Sequence, residues 1–408
     1  MKKLLLSLII ITSLYSHADS KSVLFIGNSY TYYNNMPNLL KQIALSAGDT
    51  LDVVSHTPGG RRISQHANDP QVYDLIRSRP WDYVVVQCQS QEPSFSDGQV
   101  ATDVFPYAKQ ICDSIRSNST CSIPLFYMTW GRKNGDSRNC PFFPPLCTYE
   151  GMDSILHSNY MKMGEQNDSE VAPVGAVWRE LRTSSKSIDL YHSDESHPSF
   201  MGSMAIAYTF YTSIFRKSPY VASFIGAASQ EDIDSIQNAV DKVLFQNIEQ
   251  FYIGSSDPDA TFTYSNENCE FTFKSEIPYD SEVWIIGDDT ISDVSDPVYL
   301  FKNEGAYVVK RAVSECGRTD TFEIKIRCGV NSIHQKKEST PKIYPNPSHG
   351  SFQVSKGWYV KSATNISGQE VEVRRETNRY SVSDRNQALF ILLENAKGMQ
   401  AIKKIGLK

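Results

Sequence analysis

The sequence predicts an α/β domain built on a parallel sheet, followed by two small all-β domains. Three observations carry that prediction. Between residues 22 and 128, short apolar runs alternate with stretches of helical periodicity, the order that places helices on both faces of a parallel sheet. Near Gly254 the helical periodicity stops, and short alternating strands separated by turn residues replace it. A polar stretch at residues 331–341 then splits those strands into two groups, 255–330 and 342–408.

At 408 residues the chain is too long for one ordinary core. Apolar residues make up 40% and charged residues 21%, which places it among globular chains. A net charge of -6 argues against a general nucleic-acid binder. Residues 1–18 read as an export signal. Lys2 and Lys3 precede an apolar run over 4–14, too short to span a bilayer, and Ser16-His17-Ala18 supplies small residues for a signal peptidase. Asp19 is the expected first mature residue, and no later run reads as a transmembrane segment.

Within 19–253 the first strand covers 22–27. A helix opens at Asn35-Met36-Pro37, carries Met36, Leu39, Leu40, Ile43, Ala44 and Ala47 on one face, and stops at Gly48. Residues 50–55 form a second strand and 56–60 a turn. The third strand, 82–87, is a continuous apolar run of the kind buried on both faces. A helix over about 99–116 leads to a fourth strand at 123–128, with Pro124 near its start, where a missing donor is tolerated. The loop 131–145 is long and rich in Gly, Pro, Asn and Arg, and loops of that length in compact domains are usually functional or disordered. A helix at 149–166, a strand at 170–175 and a helix near 176–183 follow. The polar loop 192–197 precedes a helix over 199–215, and a last helix covers about 230–252.

Export to an oxidising compartment permits disulfides among the eight cysteines. Cys112 with Cys121, and Cys140 with Cys147, are close in sequence and are the expected bridges. No CxxC pair has a matching second pair, which argues against zinc.

Two stretches carry chemistry. Gly27-Asn28-Ser29 ends the first strand, where open α/β sheets place their ligand crevices. Asp194-Glu195-Ser196-His197 lies far downstream. A serine hydroxyl holds its proton too tightly to attack at neutral pH. An imidazole can remove that proton, and a carboxylate can fix the imidazole tautomer. Ser29 is thus a candidate nucleophile, His197 its base and Asp194 the orienting group. His192, Asp194, Glu195 and His197 are also metal-ligand types, but no further ligand pattern accompanies them, so no metal is expected. His56 and His66 read as turn and helix-face residues. Trp130-Gly131-Arg132 and Arg61-Arg62 read as rim loops.

On these two blocks, residues 20–250 resemble the SGNH (GDSL-like) hydrolase family. Its Gly-Asp-Ser block stands here as Gly27-Asn28-Ser29, and its Asp-x-x-His block as Asp194 to His197, followed by Pro198, Ser199 and Gly202. The resemblance implies a flavodoxin-like three-layer α/β/α fold, ester hydrolysis by Ser29, His197 and Asp194, and no cofactor. Gly60 best matches the family's oxyanion glycine. The family's Gly-x-Asn-Asp block has no counterpart: the third strand runs into Gln87-Cys88-Gln89-Ser90-Gln91-Glu92. Gln91 is the best match to the asparagine, with Gln89 and Gln87 as alternatives. The implied oxyanion donors are Ser29, Gly60 and Gln91.

The segment 255–330 resembles a PKD-type Ig-like domain, on Trp284-Ile285-Ile286-Gly287-Asp288-Asp289 and Gly305-Ala306-Tyr307-Val308-Val309. Residues 342–408 resemble the sorting domain of the type IX secretion system, on Tyr344-Pro345-Asn346-Pro347, Asn365-Ile366-Ser367-Gly368-Gln369 and a basic tail. The combined expectation is a secreted serine esterase, with acetylated extracellular polysaccharide as the first substrate class. Lipid or aryl esters are the alternative. A rival is a surface carbohydrate-binding or adhesion protein with weak catalysis.

Overall fold

A computed structural model describes residues 18–184, 188–275, 277, 279–329, 341–344, 351–355, 357–365, 369–376, 379–382, 388–395 and 400–406. The expected export segment up to residue 17, linker residues 331–340, and residues 345–350 and 366–368 of the sorting motif lie outside them.

The first domain opens with β1 (Ser20–Ile26), α1 (Ser29–Tyr32), α2 (Met36–Ser46) and β2 (Thr50–His56). Next come α3 (Ile63–Ala67), α4 (Pro70–Arg77), β3 (Tyr83–Val86), α5 (Asp97–Asp103), α6 (Phe105–Asn118) and β4 (Ile123–Tyr127). It continues through α7 (Tyr149–Gln166), β5 (Glu170–Ala172), α8 (Val174–Thr183), α9 (Phe200–Phe215) and α10 (Gln230–Val243). The five strands form one parallel sheet in the order β2-β1-β3-β4-β5. This is the expected three-layer α/β/α arrangement. Helices α2, α8, α9 and α10 pack with one another on one face, and α3 to α7 pack around α6 on the other.

Burial follows from the apolar runs. Val23 to Ile26 and Tyr83 to Val86 pair in register and are almost wholly enclosed. Helix α9 is buried from Gly202 to Phe215, because the sheet lies on one side and α10 on the other. Its Phe210 meets Phe25 and Tyr127 edge-on, at 5.3 and 4.8 Å between ring centres. The strand order reverses between β1 and β3. In open α/β sheets such a reversal is where ligand crevices lie, at the carboxyl ends of the strands.

Three elements depart from expectation. The helix expected at 99–116 is two helices, broken at Val104. Pro106 lacks the N–H that a continuous helix would need, and its ring would clash with the preceding turn. The last helix ends at Val243, and a 3₁₀ segment continues to Phe251. Helix α4 was not expected, whereas α3 carries His66, in agreement with the reading of that residue as a helix-face position. Both are short, and α4 is set locally by Pro70 in its first turn and by the Asp69 carboxylate accepting from Gln71 N–H.

Seven strands follow: β6 (Thr263–Glu267), β7 (Glu270–Lys274), β8 (Ser281–Ile286), β9 (Asp289–Ser292), β10 (Val298–Leu300), β11 (Gly305–Glu315) and β12 (Arg318–Cys328). They form sheets β10-β7-β6 and β12-β11-β8-β9, with Phe262, Phe273, Trp284 and Val309 in one core. The C-terminal strands are β13 (Ile343–Tyr344), β14 (Ser351–Val354), β15 (Trp358–Asn365), β16 (Val373–Glu376), β17 (Arg379–Val382), β18 (Ala388–Asn395) and β19 (Gln400–Gly406). They form sheets β13-β14-β17-β16 and β15-β18-β19 over a core that includes Phe352, Leu389 and Ile391.

The disulfides correct one expectation. Cys112 does not pair with Cys121. Its thiol faces inward from α6, fully buried beside Ser169. Cys121 lies past the end of that helix, in the turn before β4, and bridges Cys316 between β11 and β12. The Cys140–Cys147 bridge forms as expected, and Cys269–Cys328 is a third. The Cys121–Cys316 bridge therefore ties the first β domain to the amino end of the parallel sheet. An ionic chain supports the same junction: Glu170 at the start of β5 meets Arg216 at 2.9 Å, Arg216 meets Asp257, and Arg318 lies 3.7 Å from Asp257. Burial raises the Glu170 carboxyl to about 7, against the opposing pull of Arg216.

The bridge closes a loop with a sequence separation of 195 residues. Replacing both Cys121 and Cys316 by serine should lower unfolding stability by about 2–4 kcal/mol. Denaturant unfolding measures this, and a non-reducing peptide map of the parent should show the two half-cystines linked.

Candidate active site

The loop after β1 is shaped by contacts to the end of β3. A Cβ on Gly27 would lie 2.5 Å from Gln87 Oε1 and 2.8 Å from Thr31 Oγ1, so only glycine fits there. Gln87 is fully buried. Its Oε1 accepts from Asn28 N–H (3.1 Å) and from the Thr31 hydroxyl (2.7 Å), and its Nε2 donates to Asn28 Oδ1 (2.6 Å). Asn28 in turn caps α1, accepting from Tyr30 N–H at 3.1 Å. Its amide nitrogen reaches Arg61 O (3.3 Å) and Cys88 O (3.4 Å). Ser29 is thereby the first residue of α1, held on three sides and 8% exposed. Its own N–H, an orphan donor of the first helical turn, has no acceptor among the described residues.

His66 is also part of this support. It is fully buried, and its Nε2 lies 2.9 Å from Gly27 O. Burial lowers its pKa to about 4, so the neutral ring donates to that carbonyl.

The downstream loop is built around Asp194. One carboxylate oxygen accepts from the N–H groups of Ser196 (3.1 Å) and His197 (2.9 Å), which closes a tight turn with Glu195 left-handed at φ 60°. The other carboxylate oxygen lies 2.5 Å from His197 Nδ1. His197 Nε2 lies 2.8 Å from Ser29 Oγ. Burial works to raise the Asp194 carboxyl, but hydrogen bonds from the His197 side chain and from the N–H groups of His197 and Ser196 outweigh it and hold the pKa at about 2. Asp194 is thus ionised at neutral pH.

Neighbouring groups brace the turn. Trp130 Nε1 donates to Ser196 O (3.1 Å), and Lys133 N–H donates to Glu195 O (3.0 Å). Trp130 is not on the rim as expected. It is fully buried, stacked between Tyr30 at 4.4 Å and Trp178 at 3.9 Å. Tyr30 Oη lies 2.7 Å from Ser196 Oγ. Of the other expected rim residues, Arg61 pairs with Asp69, and Arg62 approaches Glu92 at 3.9 Å.

The structure brings Ser29, His197 and Asp194 into one hydrogen-bonded chain. Gly60 and Gln91 make no hydrogen bond to Ser29 among the described residues. Gly60 sits in an exposed turn with φ 65°, adjoining Arg61, whose carbonyl holds Asn28. Gln91 donates through Nε2 to Asp136, a fully buried carboxylate that also receives Asn139 Nδ2 (2.6 Å) and Arg132 (3.2 Å). Gln91 therefore fastens the long loop after β4 to the end of β3. Gln89 spends its carboxamide on Gln91 and Ser90. Gln87, the third alternative, is committed to the loop beneath Ser29. The three glutamines share a side-chain type, and only their three-dimensional neighbours separate them.

No protein-family model matches the sequence, and no curated protein matches it. Solved structures do resemble the first domain. A DUF4886 family protein from Bacteroides uniformis is 15% identical, covering 55% of this chain and 94% of its own at a TM-score of 0.48. A protein from Slackia heliotrinireducens, described as a candidate SGNH hydrolase, is 22% identical over 47% of this chain and 97% of its own, TM-score 0.40. A variant of an acetyl-xylooligosaccharide esterase from Geobacillus is 15% identical over 52% of this chain and 99% of its own, TM-score 0.34. At these values nothing about this chain's chemistry follows from them.

Two expectations follow from the support beneath Ser29. His66 is held below its ordinary 6.5, so the unfolded chain binds the extra proton first as pH falls. Stability from this group is complete above 6.5 and declines as pH drops towards about 4, by ~3 kcal/mol in all. Denaturant unfolding at pH 7 and pH 4.5 should show that decline, reduced in His66→Gln. Gln87→Leu strands Asn28 N–H and the Thr31 hydroxyl without water, and should destabilise by about 1–3 kcal/mol for each stranded group. Thermal unfolding measures it.

Proposed function

We propose that the first domain is a serine ester hydrolase of SGNH type. One observation carries this reading: the continuous chain Ser29 Oγ–His197 Nε2 at 2.8 Å and His197 Nδ1–Asp194 Oδ2 at 2.5 Å, at the carboxyl end of the sheet. In this reading Ser29 Oγ attacks the ester carbonyl while His197 Nε2 takes its proton. Asp194 accepts the Nδ1–H bond and faces the imidazolium that forms. The oxyanion meets the unpartnered Ser29 N–H, with the Gly60 N–H as second donor. Collapse breaks the ester C–O bond, and His197 returns the proton to the leaving alcohol. Water, deprotonated by the same imidazole, then attacks the acyl carbonyl and frees Ser29.

The reading extends to the whole chain as an exported enzyme. The amino-terminal signal pattern and the sorting-domain resemblance support passage through an outer membrane, and the PKD-like strands support work on an extracellular polymer. Acetyl groups on polysaccharide are the proposed substrate class.

Residues 19–408 should hydrolyse p-nitrophenyl acetate, and Ser29→Ala should lower turnover about 10³-fold or more. Equal rates would overturn the esterase and leave an adhesion or carbohydrate-binding protein. For export, cells expressing a chain without 342–408 should retain it in the periplasm. Normal surface delivery would remove the sorting reading.

A further inference from the structure

Asp194 and Ser29 occupy the two nitrogens of His197, but neither covers the faces of its ring. One face is covered by Tyr33. The two ring centres are 4.2 Å apart and the planes are inclined by only 15°. Tyr30 presents its edge to the same imidazole at 5.4 Å. The next histidine, His192, meets Tyr33 edge-on at 5.8 Å and lies 3.9 Å from Asp194 Oδ1. It approaches the outside of the stack.

Tyr33 reaches this position through an uncommon piece of backbone. Asn34 and Asn35 are both left-handed, with φ of 51° and 53°. Asparagine enters that region more readily than other residues with side chains, but two in succession are rare. The reversal separates α1 from α2 and turns Tyr33 towards the downstream loop. Asn34 then fixes it there. Its amide nitrogen reaches Pro198 O (3.1 Å), Ser199 O (3.0 Å) and Ser203 Oγ (2.9 Å). Two of those acceptors belong to the residues that directly follow His197. Tyr33 is only half-buried and Asn34 is exposed, so core packing does not explain the arrangement.

We propose that Tyr33 and Asn34 form a clamp that positions His197 and supports the charge it takes up when Ser29 reacts. The inference rests on the esterase reading. Asn34 ties the nucleophile's own segment to the loop that carries the base, so Ser29 and His197 are set relative to each other by a second link besides their shared hydrogen bond. The Tyr33 ring restricts rotation of the imidazole and presents a π face to the imidazolium, an attraction that exists only in the charged form. The clamp therefore acts on the transition state more than on bound substrate. Tyr33 is a positioning residue, since it touches the base and not the reacting carbonyl.

The test compares Tyr33→Leu, Tyr33→Phe and Asn34→Gly with the parent on p-nitrophenyl acetate. Tyr33→Leu removes the ring and should lower kcat roughly tenfold with KM within about twofold. Tyr33→Phe keeps the ring and should stay within about twofold of the parent. Asn34→Gly keeps the left-handed backbone while deleting the amide, and should lower kcat by about threefold or more. Unchanged kcat in Tyr33→Leu, or an equal loss in Tyr33→Phe, would overturn the clamp. A second measurement needs no turnover. In ¹³C-histidine-labelled protein the His197 ring protons, assigned with His197→Gln, should be shifted upfield by the stacked ring and should move downfield in Tyr33→Leu. Resonances that stay in place would also overturn it. If the parent hydrolyses no ester, the esterase reading fails by itself, and the resonance shift still decides whether the clamp exists.

Discussion

The buried carboxamide of Gln87 is the contact on which the candidate site depends. It directly follows β3, the strand next to β1, on the side where the strand order reverses. There it accepts from Asn28 N–H and the Thr31 hydroxyl and donates to Asn28 Oδ1. These bonds leave no room for a side chain at Gly27 and make Asn28 a helix cap. The position of Ser29 follows, with its hydroxyl aimed at His197 and its N–H without an acceptor among the described residues. An apolar side chain of the same size could fill the space, but it would strand two buried donors and release the loop. The sheet thus transmits its rigidity to the nucleophile through one amide.

The two ends of the parallel sheet do different work. The carboxyl end carries the loops after β1, β3 and β4 and the turn at Asp194. These loops are cross-linked by side chains: Gln91 to Asp136, Trp130 to Ser196, and Asn34 to Pro198 and Ser199. The amino end carries the attachment to the first β domain, through Cys121–Cys316 and through Glu170, Arg216 and Asp257. The covalent tether therefore lies at the opposite end of the sheet from Ser29. In the proposed exported enzyme, such a layout lets the appended domains carry the catalytic edge without covering it.

How much of this could be read from the chain differs from residue to residue. The strands were legible because each is a continuous apolar run, and a run buried on both faces needs no partner to be recognised. Ser29, Asp194 and His197 were legible as types at suggestive positions, since a hydroxyl, an imidazole and a carboxylate have few common uses together. Gln87 was not legible as a support. Nothing local separates it from Gln89 and Gln91, and its role is set by Asn28, 59 residues away. Tyr33 and Asn34 were hidden for the same reason, because their partners follow by about 165 residues. The pairing of Cys121 with Cys316 spans 195 residues, and proximity in sequence pointed instead to Cys112, which a helix turns into the core. The break at Val104 had a visible cause in Pro106, but the apolar period runs through both helices and masked it. Contacts that act along the chain were readable. Contacts that act across it required the fold.

The most direct measurement of the central claim is covalent capture of the nucleophile. A fluorophosphonate reacts fastest with a serine whose proton a neighbouring base can remove, losing fluoride and forming a stable adduct at that oxygen. Intact-protein mass spectrometry and peptide mapping should show one adduct, on Ser29, in residues 19–408. The adduct should be absent from Ser29→Ala and form far more slowly in His197→Ala. An unlabelled parent, or an adduct carried by another residue, would contradict the account.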